Sequence, residues 1–371
     1  MSGRPRAHRR SGRAAAAIAL AGSVALLLSG CMTWFLPPRP GATSTPTGEQ
    51  VDAALQPYYS QVLVWRACGD GMQCATANAP MNWEDPAAGS IELALIRQPA
   101  TGDRIGSLLI NPGGPGASGF EFVRDSVDYA TSARLQQRYD IVGFDPRGVG
   151  RSSPVVCADD PAFLDAFNYD ILPGEVGSDE WVDAVIRTNA EFAARCLEHT
   201  GPRLQYVDTV SAARDLDLLR AVLGDEKLTY LGYSYGTYLG ATYAELYPQN
   251  TGRLVLDGAV DPATTDAEVT MTQAVGFEHA LTAYLEDCVG RDGCPFTSVD
   301  GGRDRIASMM AGLQTRPLPA EDGRRLGVGA MFAAIILPLY NQANWPYLDI
   351  LFDEVARGET LEVADEPERL P

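Results

Sequence analysis

The sequence predicts an α/β fold, with a mostly parallel sheet, flanking helices and a helical region after the sheet. From about residue 60 onward, short apolar runs alternate with helical patterns, as in an α/β sheet. One of these runs, Leu228–Leu231, leads directly into a Gly-x-Ser-x-Gly turn that precedes a helix. After Asp261 helical periodicity continues to about Val355 without a buried parallel strand, which indicates a helical cap inserted after a core strand.

Each element has its own signal. Apolar runs predict strands at Gln61–Arg66, Ile91–Gln98, Ile105–Asn111, Tyr139–Asp145, Leu228–Leu231 and Arg253–Asp257. Helical spacing of apolar residues predicts helices over residues 181–199 and Thr209–Leu223, the second capped by Asp208 or Thr209 and stopped by Gly224. We therefore expect a core over residues 51–260 and a helical cap over residues 261–371.

The first 31 residues are expected to direct export. Five arginines precede the apolar run Ala14–Leu28, which is short for a membrane span. Leu28-Ser29-Gly30-Cys31 then resembles the bacterial lipobox, in which the cysteine thiol receives a diacylglyceryl group. The alternatives are an ordinary signal peptide with a chance cysteine and an uncleaved anchor helix. We predict lipidation at Cys31, a tether over residues 32–50, and an extracytoplasmic protein anchored by lipid to the bacterial cell membrane.

The net charge of −19 argues against nucleic acid as a partner, because phosphate contacts require clustered basic residues. Removal of residues 1–30 takes away five arginines and no acid, so the charge becomes −24. Such a body is repelled by an anionic membrane and depends on its anchor. A single lysine, Lys227, stands among the 29 basic residues.

Six cysteines follow Cys31, and an even number outside the cytoplasm favours disulfides. Two pairs are six positions apart, which suggests Cys68–Cys74 and Cys288–Cys294 and leaves Cys157–Cys196 as the longer link. A metal site is the alternative, but no histidine or CxxC spacing supports it. We predict no metal.

The candidate nucleophile is Ser234, in Gly232-Tyr233-Ser234-Tyr235-Gly236. A strand before it and a helix after it are what a nucleophile elbow requires, and small flanking residues avoid the adjoining strand and helix. The following helix carries Gly236, Gly240 and Ala244 at intervals of four and ends before Pro248. The alternative is a glycine-rich turn with an idle surface serine.

Two other segments complete the constellation. Asn111-Pro112-Gly113-Gly114-Pro115-Gly116 lies between a strand and a helix that begins near Gly119, where the second oxyanion donor is expected. A phosphate-binding loop is the alternative, but no Gly-Lys-Ser/Thr pattern follows. Gly143 to Ser152 forms a charged turn after a strand, and we predict that Asp145 pairs there with Arg147 as structural support.

In this order, the three segments resemble the tripeptidyl aminopeptidase branch of the α/β-hydrolases, which includes exported actinobacterial proteases and carboxylesterase-like lipoproteins and is related to prolyl iminopeptidases. The resemblance covers about residue 50 to the end. It implies an α/β-hydrolase fold, a Ser-Asp-His triad and no metal or cofactor. It makes Ser234 the nucleophile and the amides of Gly114 and Tyr235 the oxyanion donors.

A catalytic base is harder to place, because the sequence has three histidines. His8 lies in the signal segment, and His199 fits the end of a surface helix. The fold orders its triad Ser, acid, His, and no core strand is predicted after Arg253–Asp257. The expectation is a chain truncated before its catalytic Asp, His and final strands, with an unpaired sheet edge. The alternative uses His279 with Asp257 or Asp261.

Three functions remain open. The first is an exported serine aminopeptidase that releases short N-terminal peptides through an acyl-enzyme on Ser234, incomplete in the given chain. The second is a carboxylesterase or lipase, which uses the same chemistry on an ester. The third is a non-catalytic lipoprotein that binds a peptide. The expected partners are a peptide or ester substrate and the membrane, and the sequence does not predict an oligomeric state.

Overall fold

The computed structural model describes residues 42–358. The predicted signal segment and the lipidation site Cys31 lie outside the described residues. Strand β1 (Ala42–Thr43) belongs to one unit of the chain, and the residues from Ser44 onward form a second, compact unit. Within residues 42–358 no helix has the length and apolar character needed to cross a membrane.

The compact unit contains a large sheet whose parallel half leads to the candidate nucleophile. Its strands are β2 (Val64–Gly69), β3 (Met72–Pro80), β4 (Ser90–Gln98), β5 (Gly106–Asn111), β6 (Tyr139–Phe144), β7 (Leu228–Tyr233) and β8 (Thr251–Asp257). Their order is β2-β3-β4-β6-β5-β7-β8. The pairs from β2 to β6 in this order are antiparallel, and those from β6 to β8 are parallel. The predicted α/β fold class is confirmed.

The helices connect the strands and then form the region after the sheet. Those of the core are α1 (Gln56–Tyr59), α2 (Gly119–Ala130), α3 (Ala133–Arg138), α4 (Pro161–Tyr169), α5 (Asp179–Thr200), α6 (Thr209–Leu223) and α7 (Tyr235–Leu246). Those that follow are α8 (Asp266–Cys288), α9 (Val299–Thr315), α10 (Val328–Leu339) and α11 (Trp345–Arg357). A short hairpin of two strands, β9 (Leu318–Pro319) and β10 (Arg325–Leu326), joins α9 to α10.

Successive side chains of the central strands point to opposite faces of the sheet. Leu109 of β5 packs with α6 and α7 on one face, whereas Leu108 and Ile110 pack with α2 on the other. Every residue of β5 and β6 is buried, as expected for strands covered on both faces. The apolar runs that predict these strands therefore reflect two buried faces.

The far edge of the sheet is different. Among the described residues, β8 pairs with β7 on one side and with no strand on the other. Val255 in β8 is 59% exposed, although it lies in an apolar run. An unpaired edge of this kind is what the sequence predicts for the last core strand.

The first hairpin departs from the prediction. The expected strand Gln61–Arg66 is displaced to β2, and β3 was not predicted because its alanines, Asn78 and Pro80 are poor strand formers. The turn between the two strands has positive φ at Asp70 and Gly71, +47° and +77°, as in the type I′ turn typical of hairpins. The Asp-Gly pair was the available sequence signal.

The last residues of the predicted tether, 44–50, contact the folded unit. The Ser44 hydroxyl accepts the amide of Leu63 at 2.9 Å, and the Thr47 amide donates to the Ala221 carbonyl at 2.9 Å. Glu49 pairs with Arg220 at 2.8 Å, and the Arg220 side chain is 1% exposed. Residues 44–50 pack on the folded unit because this buried guanidinium binds a second carboxylate besides Asp217.

The region after the sheet contains an apolar cluster of its own, formed by side chains of α8 to α11 such as Tyr284, Met331 and Phe352. It agrees with the predicted helical character of residues from Asp261 onward. The division between core and cap at residue 260 stays a prediction, because both sides belong to one compact unit.

The structure contains disulfides in the predicted pairing: Cys68–Cys74, Cys157–Cys196 and Cys288–Cys294. The first closes the hairpin of β2 and β3. The second joins the segment after β6 to α5, and the third closes the turn after α8.

Candidate active site

Ser234 lies in a strained turn between β7 and α7. Its φ and ψ are +52° and −121°, a region that non-glycine residues rarely adopt, and its side chain is exposed. The Ser234 amide donates to the Asp257 carbonyl at 2.9 Å, and its carbonyl accepts the Thr237 hydroxyl at 2.6 Å. These bonds fix the backbone and leave the Ser234 hydroxyl without a protein partner among residues 42–358.

Glycines make this turn sterically possible. A Cβ at Gly232 would lie 2.3 Å from the Gly236 carbonyl oxygen, and a Cβ at Gly236 would lie 2.7 Å from the Asn111 carbonyl oxygen. At Gly240 a Cβ would lie 2.8 Å from Tyr230 and from Leu256. The small-residue pattern thus has the predicted purpose: it lets α7 approach the sheet closely.

The loop Asn111–Gly119, here called the oxyanion loop, runs beside Ser234. A Cβ on Gly113, whose φ is +104°, would lie 2.6 Å from the Tyr233 carbonyl oxygen and 3.0 Å from the Cβ of Ser234. The Gly113 amide donates to the side-chain oxygen of Asn111 at 2.9 Å. The Gly114 amide donates no hydrogen bond to any described residue, so it is available to a ligand. The oxyanion roles of Gly114 and Tyr235 stay a prediction.

Asn111 was not predicted to have a role of its own. It is fully buried at the end of β5, and its side-chain nitrogen has no hydrogen-bond partner among the described residues. Its side-chain oxygen binds Gly113, so Asn111 shapes the start of the oxyanion loop.

The predicted pair between Asp145 and Arg147 is wrong. Arg147 instead donates twice to Asp215 of α6, at 2.6 and 2.7 Å, and both side chains are buried. It also donates to the carbonyls of Pro80, Met81 and Tyr206. Asp215 was missed because it is 68 positions away on a helix whose pattern does not distinguish a buried acid from a solvated one.

Asp145 binds the oxyanion loop. It is fully buried, and one carboxylate oxygen accepts the Ser118 hydroxyl and the Phe120 amide, the latter at 3.2 Å. The other oxygen accepts the Arg151 amide at 2.8 Å. The turn after β6 therefore supports the site as predicted, but through a different set of contacts.

A tyrosine stands on each side of the nucleophile in the sequence, Tyr233 before it and Tyr235 after it. The Tyr233 hydroxyl donates to the Ala130 carbonyl at 3.1 Å, and its ring meets Phe122 edge-on. The Tyr235 and Thr209 hydroxyls are 2.8 Å apart. Burial raises the pKa of both tyrosines, and the Asp257 carboxylate raises that of Tyr233 further. Both phenols are therefore neutral at pH 7.

The histidines of the described residues form no hydrogen bond with Ser234. His199, near the end of α5, lies 3.5 Å from Asp159, in agreement with the predicted helix-end position. His279 lies on α8 and is exposed. The alternative triad of His279 with Asp257 or Asp261 is not formed by any hydrogen bond in residues 42–358. In that same part of the chain, no three His, Cys, Asp or Glu side chains cluster as metal ligands would.

Comparison with known proteins identifies the family. Residues 106–303 match the alpha/beta hydrolase fold family. The chain belongs to the α/β-hydrolase family. This span includes the oxyanion loop, the turn after β6 and the Ser234 elbow, which are the segments that carry the resemblance in the sequence.

Curated relatives of this α/β-hydrolase include proteases and an esterase. Serine protease Hip1 of Mycobacterium tuberculosis is 37% identical over 334 residues, 82% of this chain and 62% of the relative. Tripeptidyl aminopeptidase of Streptomyces coelicolor is 34% identical over 303 residues, 79% of this chain and 54% of the relative. Carboxylesterase B of Mycobacterium tuberculosis is 35% identical over 334 residues, 87% and 63% of the two chains. The matched region thus spans less than two thirds of each relative.

Proposed function

We propose that this protein is a serine hydrolase that forms an acyl-enzyme on Ser234, and that it is an aminopeptidase that removes short N-terminal peptides. The observation that carries the proposal is the exposed serine at φ +52° with Gly113 packed against it. A nucleophile elbow beside a glycine loop with a spare amide is what acyl transfer requires.

In the proposed reaction, the Ser234 oxygen attacks the substrate carbonyl carbon and loses its proton to a base. The carbonyl oxygen becomes an oxyanion, which accepts hydrogen bonds from the Gly114 and Tyr235 amides. Collapse of this intermediate breaks the scissile bond, and the leaving amine takes up the proton. Water then releases the acyl group by the same steps. No histidine of residues 42–358 forms a hydrogen bond with Ser234 in the structure.

The test is covalent labelling of the full chain with a fluorophosphonate, with soluble imidazole supplied as the base. We expect one phosphonyl adduct, located at Ser234 by mass spectrometry, and none in the Ser234→Ala variant. The phosphonyl oxygen occupies the position of the oxyanion, so labelling reports the nucleophile and its donors together. Equal labelling of wild type and Ser234→Ala, or none in either, would contradict the proposal.

The substrate class is decided by a second measurement. The names of the relatives favour peptides in two cases and esters in one. With imidazole again supplied as the base, we expect Ser234-dependent release from an N-terminal tripeptide amide. Turnover of a simple acyl ester without turnover of the tripeptide amide would instead assign a carboxylesterase. Tripeptide binding without any Ser234 adduct would assign a non-catalytic peptide-binding protein.

We also propose export and lipid anchoring at Cys31, supported by the arginine-rich start, the apolar run and the lipobox-like sequence. Mass spectrometry of the membrane fraction should find a diacylglyceryl-modified Cys31 as the new N-terminus. A chain that keeps residues 1–30 there would contradict it.

A further inference from the structure

The oxyanion loop is held almost entirely by its two ends. The residues between them, 114–117, donate and accept no hydrogen bond with any described residue, and a Cβ on Gly116 would meet nothing within 4 Å. At the near end, Asn111 binds the Gly113 amide, and Gly113 packs on Ser234. The direction of the Gly114 amide therefore depends on what fixes the far end.

The far end is bound to the turn after β6. The Ser118 hydroxyl caps α2 by accepting a hydrogen bond from the Glu121 amide at 2.9 Å, and it donates a hydrogen bond to the Asp145 carboxylate. Asp145 also accepts the Phe120 amide at 3.2 Å. Gly119 packs so closely that a Cβ there would lie 2.3 Å from the Phe144 carbonyl oxygen.

The surroundings of Asp145 suit this task. Its three donors are a hydroxyl and two amides, so no described side-chain cation contacts this fully buried carboxylate. The nearby Arg151 guanidinium instead binds Glu121 and lies over the Phe120 ring. Gly150 leaves space for the carboxylate, because a Cβ there would lie 2.4 Å from an Asp145 oxygen.

We propose that Asp145 is a positioning residue that fixes the far end of the oxyanion loop, and thereby the Gly114 amide, relative to Ser234. The inference rests on the proposed function, since it assigns Asp145 to the same acyl-transfer site. Loss of the Asp145 carboxylate should therefore impair the reaction step rather than folding or binding.

The test compares Asp145→Asn with Asp217→Asn, both in the full chain. The asparagine keeps the shape of Asp145 but faces one of the two amide donors with an NH₂ group. Asp217 is the matched control: it is also buried and accepts several hydrogen bonds, from Tyr59, Tyr243, Asn250 and Arg220, but it does not contact the oxyanion loop.

Fluorophosphonate labelling is resolved into probe binding (KI) and the covalent step (kinact), with imidazole present. We expect Asp145→Asn to lower kinact about 10- to 100-fold, because a misdirected oxyanion donor acts in that step. We expect KI to change less than about twofold, since ground-state binding does not use the oxyanion. Asp217→Asn should leave both constants near wild type. Equal kinact in the two variants would overturn the proposal.

Hydrogen–deuterium exchange supplies a readout that does not need labelling. Peptides covering residues 113–122, which include the Phe120 amide bound by Asp145 and the Glu121 amide bound by Ser118, should exchange faster in Asp145→Asn and not in Asp217→Asn. If wild type is not labelled at Ser234, the proposed function is wrong. If hydrogen exchange in Asp145→Asn equals that of wild type, the positioning role of Asp145 is wrong, whatever the labelling result. If Asp145→Asn does not fold, Ser118→Ala removes one of the hydrogen bonds to Asp145 and should speed exchange in the same peptides.

Discussion

At the level of single residues, three glycines make the nucleophile turn possible because they have no side chain. Gly232 and Gly236 allow β7 and α7 to meet at the elbow, and Gly113 brings the oxyanion loop against Ser234. In each case a Cβ would lie less than 3 Å from a backbone oxygen, which cannot move without displacing a strand or helix. The position of Ser234 relative to the oxyanion loop therefore depends on the absence of a side chain at each of these three glycines.

Gly113→Ala and Gly116→Ala form a matched pair, because their φ angles are +104° and +102°. Both substitutions place an alanine at a backbone position with positive φ, which lowers the free energy of unfolding by about 1–3 kcal/mol. Only the Gly113 methyl also overlaps backbone, at 2.6 Å, so we expect a further loss of about 1–3 kcal/mol and loss of fluorophosphonate labelling. Gly116→Ala should retain labelling. Urea unfolding and labelling rates check this, and equal behaviour of the two variants would contradict it.

At the scale of elements, the Arg147–Asp215 pair joins the turn after β6 to α6. Both side chains are at most 3% exposed, so each charge depends on its partner. Removing one partner from a buried pair costs about 3–5 kcal/mol, because the other is left uncompensated. We therefore expect a loss of this size in urea unfolding of Arg147→Met or Asp215→Asn.

The control for this pair is Glu191→Gln, which breaks the exposed i,i+4 pair with Arg195 on α5 and should cost less than about 1 kcal/mol. The double variant Arg147→Met with Asp215→Leu should lose less than the sum of the single variants. Additive losses would show that the two residues act independently.

The elements with strong local patterns could be predicted from the sequence. The sequence predicts Thr209–Leu223 with a cap at Asp208 or Thr209 and an end at Gly224, and the structure has the cap at Asp208; capping and periodicity are local signals. Strand β3 was missed because its hairpin partners, rather than its residue types, make it a strand.

The residues of the candidate site also differ in whether a local sequence signal identifies them. Ser234 and its glycines are contiguous in sequence, so the motif identified them. The partners of Arg147 and Asp145 are distant in sequence, and only the folded chain shows which acid meets which donor. Asp215 and Ser118 were therefore beyond reach of pattern reasoning.

At the scale of the whole molecule, buried tyrosines should limit stability in alkali. Tyr59 and Tyr243 both donate to Asp217. Burial, and then the Asp217 charge, raises the pKa of each phenol well above its ordinary value. Since an unfolded tyrosine titrates near 10, the unfolded chain binds fewer protons than the folded one above that pH. The free energy of unfolding should then fall with rising pH.

We expect this fall to begin near pH 10 and to reach about 1.4 kcal/mol per pH unit for each such tyrosine. Urea unfolding at several pH values from 9 to 11.5 measures the slope. Tyr59→Phe should reduce it, whereas Tyr129→Phe, at a site that is 68% exposed, should not. Identical slopes in wild type and Tyr59→Phe would show that Tyr59 does not contribute.

The single lysine has a practical consequence. Lys227 is exposed and immediately precedes β7, whereas Ser234 follows the other end of that strand. A strand of six residues spans about 20 Å, so the two side chains lie at opposite rims of the sheet. An amine-reactive surface offers this chain one side-chain attachment point, and coupling through it would orient the molecules alike, with the serine directed toward the solution.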